Sequence, residues 1–195
     1  MFYCSHNQCQ FLFQIFSKVS SLGLNEQEML LIAQLAGGPH SSLASDQGGL
    51  DIEKVGDTVH WLLSQFSNPT RYPKSRLSRV HFHTLSFHMT AARTNVWGNQ
   101  LSATGAGARV AGSKACAARK LHPSMVDLKI PLEFSLHAQS GLQRFDARQP
   151  IVSWVSAENI TLIFSPVLVC KKPTKTVGLG DAISSTGLLY STLLS

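Results

Sequence analysis

The sequence predicts an α/β domain with a mostly parallel sheet and flanking helices. Period-2 runs such as Val80, Phe82 and Thr84 against His81 and His83 read as strands. Segments with helical apolar spacing, Met29 to Leu35 and Ile52 to Phe66, alternate with them along the chain. That alternation is the pattern of crossover helices laid on a sheet of parallel strands.

Taken in order, Gln10 to Ser20 carries Phe11, Phe13, Ile15, Phe16 and Val19 and is expected to be helical. Asn25 is a fair N-cap for a helix over Glu26 to Leu35. Asn25 and Glu28 also form Asn-x-x-Glu, in which the glutamate can reach back to the cap. Gly37 to Gly49 reads as a surface loop, and Asp51 to Phe66 as an amphipathic helix. After a polar, basic connection over Ser67 to Ser78, Arg79 to Phe87 is expected to be a strand.

His81, His83 and His88 invite a metal reading, because His-x-His on a strand puts two imidazoles on one side. No cysteine or carboxylate accompanies them at ligand spacing, so hydrogen-bonded structural histidines are expected. Trp97 to Leu101 reads as a helix that Thr104 to Gly112 breaks, before a strand near Arg109 and Val110. The glycines there have the wrong spacing for a dinucleotide fingerprint. Val126 to Phe134 and Pro150 to Val155 are expected as strands around a polar loop, Ala138 to Gln149. Ile160 to Phe164 is a further strand, and Pro166 bends it before Val167 to Cys170. Asn159-Ile160-Thr161 is a glycosylation sequon that matters only in a secretory compartment.

A net charge of +6 suits an anionic ligand, but the basic residues are scattered and form no nucleic-acid stripe. No nucleic-acid partner is expected. The cysteines at 4, 9, 116 and 170 include no Cys-x-x-Cys pair, which excludes a zinc ribbon. Cys116 and Cys170 lie in apolar surroundings and are expected to be buried free thiols. No apolar run approaches the roughly 20 residues that span a bilayer. Met1 to Gln8 lacks the basic start and apolar core of a signal peptide.

The chemistry concentrates in Thr176 to Tyr190, which follows a strand-like run, turns through Gly178 and Gly180, reaches Asp181 and enters a helical pattern. The residues after Asp181 are expected to open the helix, whose free N–H groups and dipole suit a phosphate. Asp181 at the lip of such a site would take a proton from an attacking hydroxyl. The other reading is a tight connection with Asp181 as N-cap. Lys171, Lys172 and Lys175 stand where they would attract a diphosphate or simply be solvated.

This signature closely resembles that of the ADP-dependent glucokinases, members of the ribokinase-like superfamily, and in particular the animal form. Ser21 to Glu28, Gly38 to Leu43, Val80 to Leu85, Ala106 to Gly112 and Phe164 to Cys170 resemble the same enzymes in the same order. The resemblance covers residues 16–195 as a partial kinase domain, with a divergent segment over 1–15. It implies the C-terminal portion of a ribokinase-like α/β/α sandwich, without the sugar-binding lid and a further His-x-Glu metal motif. It implies transfer of the β-phosphoryl group of ADP to the 6-hydroxyl of glucose, giving glucose 6-phosphate and AMP. Asp181 would be the base, and Gly178, Leu179, Gly180 and Ala182 would hold the transferring phosphate. Asn25, Glu28 and Asp181 would serve Mg²⁺. The animal enzymes point to the endoplasmic reticulum. The alternative expectation is an inactive form that binds nucleotide or a protein partner.

Overall fold

The computed structural model describes residues 14–41, 50–174 and 176–194. The expected first helix is described only from residue 14, where three residues are helical, and Cys4, Cys9, Lys175 and most of the 37–49 loop lie outside the described residues. A five-stranded sheet organises the chain, in the order β1 (Ser21–Leu24), β2 (Arg79–His83), β3 (Phe87–Arg93), β9 (Ile160–Pro166) and β8 (Val152–Val155). Short ribbons surround it: β4 (Trp97–Gly98) with β11 (Thr192–Leu193), β5 (Val126–Leu128) with β10 (Leu168–Cys170), and β6 (Glu133–Ser135) with β7 (Leu142–Arg144).

The α/β class holds, and the strand directions are mixed. Only β1 and β2 run parallel, whereas β2–β3, β3–β9 and β8–β9 are antiparallel. The expectation of a mostly parallel sheet is corrected by the connections. Thr84 to Ser86 joins β2 to β3, and Ser156 to Asn159 joins β8 to β9. Neither link is long enough for a crossover, so each makes a hairpin. In the first, the Thr84 hydroxyl accepts the N–H groups of Ser86 and Phe87 at 3.0 and 3.1 Å. The strand expected over Arg79 to Phe87 is therefore two strands. The alternation of Phe87, Met89 and Ala91 against His88 and Thr90 was the available signal for the second.

Among the described residues the helices that cover the sheet are α1 (Glu26–Ala36), α2 (Ile52–Phe66), α3 (Gln100–Ala115) and α4 (Leu179–Leu189). The Asp51 carboxylate caps α2 by accepting from the N–H groups of Glu53 and Lys54. Strand alternation divides the sheet into two unlike faces. Val80, Phe82, Phe87, Met89, Ala91, Ile160, Leu162 and Phe164 form one core with α1 and α2. Arg79, His81, His83, His88 and Thr90 point the other way, toward α3 and α4.

The helix expected to break at Thr104 runs on unbroken to Ala115, and no strand forms at Arg109. Ala103, Thr104, Gly107, Ala108, Ala111, Gly112 and Ala115 make a buried stripe of small residues at helical spacing. The stripe lets α3 lie close to its neighbours, which offsets the poor helix propensity of its glycines. The stretch expected as one strand over Val126 to Phe134 is divided between β5 and β6, and β7 forms inside the expected polar loop. Cys116 and Cys170 are joined in a disulfide, with Cα atoms 5.5 Å apart, and are not free thiols. The bond ties the end of α3 to the strand that leads into the Gly178 turn.

Candidate active site

The site is built where the chain leaves the parallel pair. β1 ends at Leu24, one residue before Asn25, and β2 ends at His83, so both open at their carboxyl ends toward α4. Close packing holds α4 there. A Cβ added to Gly23 of β1 would stand 2.9 Å from the Ser184 hydroxyl, and one added to Gly180 would stand 3.1 Å from Nε2 of His83.

Gly178, with φ of 68°, is the N-cap of α4, and Asp181 is its third residue. The helix thus opens before Asp181, which is neither its N-cap nor the residue that precedes it. A positive φ at the cap is what glycine permits without steric cost. The Leu179 N–H donates to the Thr176 carbonyl at 3.3 Å, and the Ala182 N–H to the Gly178 carbonyl at 3.2 Å. Of the segment expected to hold phosphate, Gly178, Gly180 and Asp181 therefore keep N–H groups with no backbone acceptor among the described residues. These groups and the positive end of the helix dipole favour an anion. Asp181 is exposed beside them, and Val177 at the outer edge of the turn is 94% exposed.

Asn25 and Glu28 cap α1 reciprocally. The Asn25 side-chain oxygen accepts the Glu28 N–H at 3.0 Å, and the Glu28 Oε2 accepts the Asn25 N–H at 2.8 Å. Both side chains keep acceptor capacity beyond the cap, including the second carboxylate oxygen of Glu28. His83 joins this motif to the turn. Burial lowers its pKa below 6.5, and the Glu28 carboxylate opposes that shift through its charge. The imidazole under Gly180 thus lies within the field of Glu28. His83 was absent from the sequence-predicted site, since the His-x-His spacing alone does not say which turn lies above it.

Among the described residues, no group of three or more histidine, cysteine or acidic side chains is placed to hold a metal. The donors at hand are single carboxylates on separate segments, Glu28 and Asp181. Single carboxylates of this kind suit Mg²⁺, which keeps several waters, and do not make a closed protein cage. Lys171 pairs with Asp127 at 3.3 Å, and Lys172 is exposed. A cavity of about 900 Å³ lies between α3, later turns of α4 and the β5–β10 ribbon, lined among others by Arg109, Leu121, Phe145 and Tyr190. None of the sequence-predicted site residues lines it. No described helix is long and apolar enough to cross a membrane.

Residues 6–190 match the model of the ADP-specific Phosphofructokinase/Glucokinase conserved region. The chain is 47% identical over 180 residues to the ADP-dependent glucokinase of Bos taurus, covering 91% of this chain and 36% of that protein. It is 40% identical over 187 residues to a probable ADP-dependent glucokinase of Caenorhabditis elegans, covering 91% of this chain and 37% of the relative. The chain thus spans about a third of the length of these relatives. Its fold is similar to the crystal structure of a phosphofructokinase from Pyrococcus horikoshii OT3 with AMP. The TM-score is 0.61 at 16% identity, over 97% of this chain and 40% of that one. At that identity the likeness shows the fold alone.

Proposed function

We propose that this chain, which belongs to the ADP-specific phosphofructokinase/glucokinase family, carries the phosphoryl-transfer half of an ADP-dependent glucokinase. The observation that carries the reading is the α4 N-terminus, where N–H groups with no backbone acceptor among the described residues and the exposed Asp181 share one turn.

In this reading Asp181 takes the proton from the glucose 6-hydroxyl as its oxygen attacks the β-phosphorus of ADP. The new O–P bond forms as the bond from the β-phosphorus to the bridging oxygen breaks, and AMP leaves with that electron pair. The N–H groups of Gly178, Gly180 and Asp181 face the charge gathered on the transferring group, and the helix dipole adds to them. Glu28 and Asp181 would hold Mg²⁺, largely through water, with Asn25 fixing the Glu28 carboxylate; bound there, the ion supplies neutralisation of the diphosphate charge. The chain's own task is positioning and electrostatics. The Cys116–Cys170 disulfide supports an oxidising compartment, consistent with the secretory pathway.

A second reading is nucleotide binding without turnover, which the anion-favouring N-terminus of α4 would support by itself. Glucose 6-phosphate formation by the purified chain from glucose and Mg·ADP decides between them. Under the first reading Asp181→Asn lowers turnover by about 10²-fold or more while ADP still binds. Turnover equal to wild type in that variant would overturn the role of Asp181. ADP binding with no turnover in the wild-type chain selects the second reading.

A further inference from the structure

Below α3 and α4 the sheet presents side chains that an apolar interface would not choose. Arg79 is 1% exposed, and His81 and His88 are fully buried. The Arg79 guanidinium donates to Gln100 Oε1 at 2.8 Å and to Ser21 Oγ at 2.9 Å, and its Nη2 has no partner among the described residues. The ring nitrogens of His81 and His88 likewise find no hydrogen-bond partner there. Their ring centroids are 5.4 Å apart with planes at 71°, so the imidazoles stand edge to face. Burial holds both neutral, His88 down to about 3, and the cationic neighbourhood of Arg79 adds to the effect at His81.

Each ring meets a helix at a glycine. A Cβ on Gly187 of α4 would stand 3.0 Å from Cε1 and 3.1 Å from Nδ1 of His81, and 3.4 Å from Nη2 of Arg79. A Cβ on Gly107 of α3 would stand 3.4 Å from Nδ1 of His88 and 3.5 Å from Cε1 of His81. His81 is thus gripped between two helices at the points where neither carries a side chain. Gly187 lies seven residues beyond Gly180, about two turns along the same face of α4. Gly180 rests on His83 in the same manner.

We propose that His81 is a positioning residue: its imidazole, wedged between Gly107 and Gly187, sets how far α4 stands off the sheet, and with it the Gly178–Asp181 turn. The neutral ring is a flat, stiff spacer, and the two turns of helix between Gly187 and Gly180 transmit displacement from one to the other. The consequence for catalysis rests on the reading of Asp181 above; the consequence for the turn does not.

The test compares the wild-type chain with Gly187→Ala, Gly107→Ala and the pair Gly187→Ala/His81→Ala. Two quantities are read: amide hydrogen exchange over residues 176–184, and the kcat and KM for Mg·ADP with glucose. In Gly187→Ala, exchange in that segment is expected to rise about fivefold while residues 126–135 stay as in wild type. Its kcat is expected to fall about tenfold with KM changed less than about twofold, the signature of a misplaced reacting group. Removing the ring in the pair should return exchange to within about twofold of wild type. Gly107→Ala, whose added methyl meets the rings at ordinary contact distance, should leave exchange over 176–184 within about twofold of wild type. If Gly187→Ala does not fold, recovery of folding in the pair Gly187→Ala/His81→Ala carries the test, because relief on removing the ring is the predicted result. Unchanged exchange over 176–184 in Gly187→Ala, or a His81→Ala change that adds to the defect, overturns the proposal. A wild-type chain without turnover overturns the functional reading, and the exchange result still decides the positioning.

Discussion

Asn25 and Glu28 hold each other across the first turn of α1, each accepting the other's backbone N–H, at 3.0 and 2.8 Å. The same glutamate that completes a cap exerts its charge on His83, whose Nε2 lies beneath Gly180 in the turn that carries Asp181. The capping role and the proposed metal role therefore fall on one residue, and one substitution separates them. Glu28→Gln keeps an oxygen that accepts the Asn25 N–H and removes the charge. Its unfolding free energy should stay within about 0.5 kcal/mol of wild type, while Asn25→Ala loses about 1 kcal/mol. Turnover with Mg·ADP should fall about tenfold in Glu28→Gln, with a higher Mg²⁺ requirement. A variant that loses stability and keeps its Mg²⁺ dependence would leave Glu28 as a cap alone.

Gly56 tests the packing of α2 far from the chemistry. A Cβ there would lie 1.7 Å from the carbonyl oxygen of Leu136, a backbone atom that no rotamer change can move aside. Gly56→Ala should destabilise the chain by about 3 kcal/mol, measured as a shift of the urea midpoint. The kcat per folded molecule should be unchanged. A midpoint equal to wild type would show that α2 is not seated on the β6 end of the core as described.

Buried histidines make stability depend on pH. The folded pKa of His88 is lowered to about 3 from 6.5, and His81 is shifted in the same direction. Both are neutral in the fold, whereas the unfolded chain takes up protons once the pH drops below about 6.5. Their contribution is complete above pH 6.5 and is lost progressively as pH falls toward 3. Urea midpoints at pH 7.5 and 5 should therefore differ, with the lower value at pH 5. His88→Asn should reduce the difference, and an undiminished difference in that variant would assign it to other groups.

The Cys116–Cys170 disulfide encloses a sequence separation of 54 residues. In the chain-entropy account, closing a loop of that length contributes about 4 kcal/mol. Thermal melts with and without reductant should separate, and Cys170→Ser should melt with the reduced protein. Proteolytic cutting after Lys171 is expected to rise in the reduced form, where the bond from the Thr174 N–H to the Ala115 carbonyl, at 2.9 Å, remains without the covalent tie. Superimposed melts would show that the bond does not constrain the unfolded chain.

Several elements were legible because their causes are local. Asn25 and Asp51 cap α1 and α2 through bonds to residues two or three positions away, and the apolar spacing of both helices is complete within each segment. The Gly178–Asp181 turn is likewise local, and it marks the proposed site without the fold. Its details still shifted: Gly178, not Asp181, caps α4, because the first backbone bonds of that helix come from Thr176 and Gly178. α3 was misread because its glycines weaken helix propensity, and the small residues that keep it helical matter only against a neighbour.

What the amino-acid sequence determined by itself is where α1 and α2 start, which residues of β2 share a face, and which turn carries the carboxylate. Strand order and direction, the Cys116–Cys170 bond, and the meeting of His83 with Gly180 and of His81 with Gly187 were decided by tertiary structure alone. The physical reason is range. Capping and periodicity act between residues a few positions apart, whereas an imidazole and the glycine above it become neighbours only after the sheet and helices have packed.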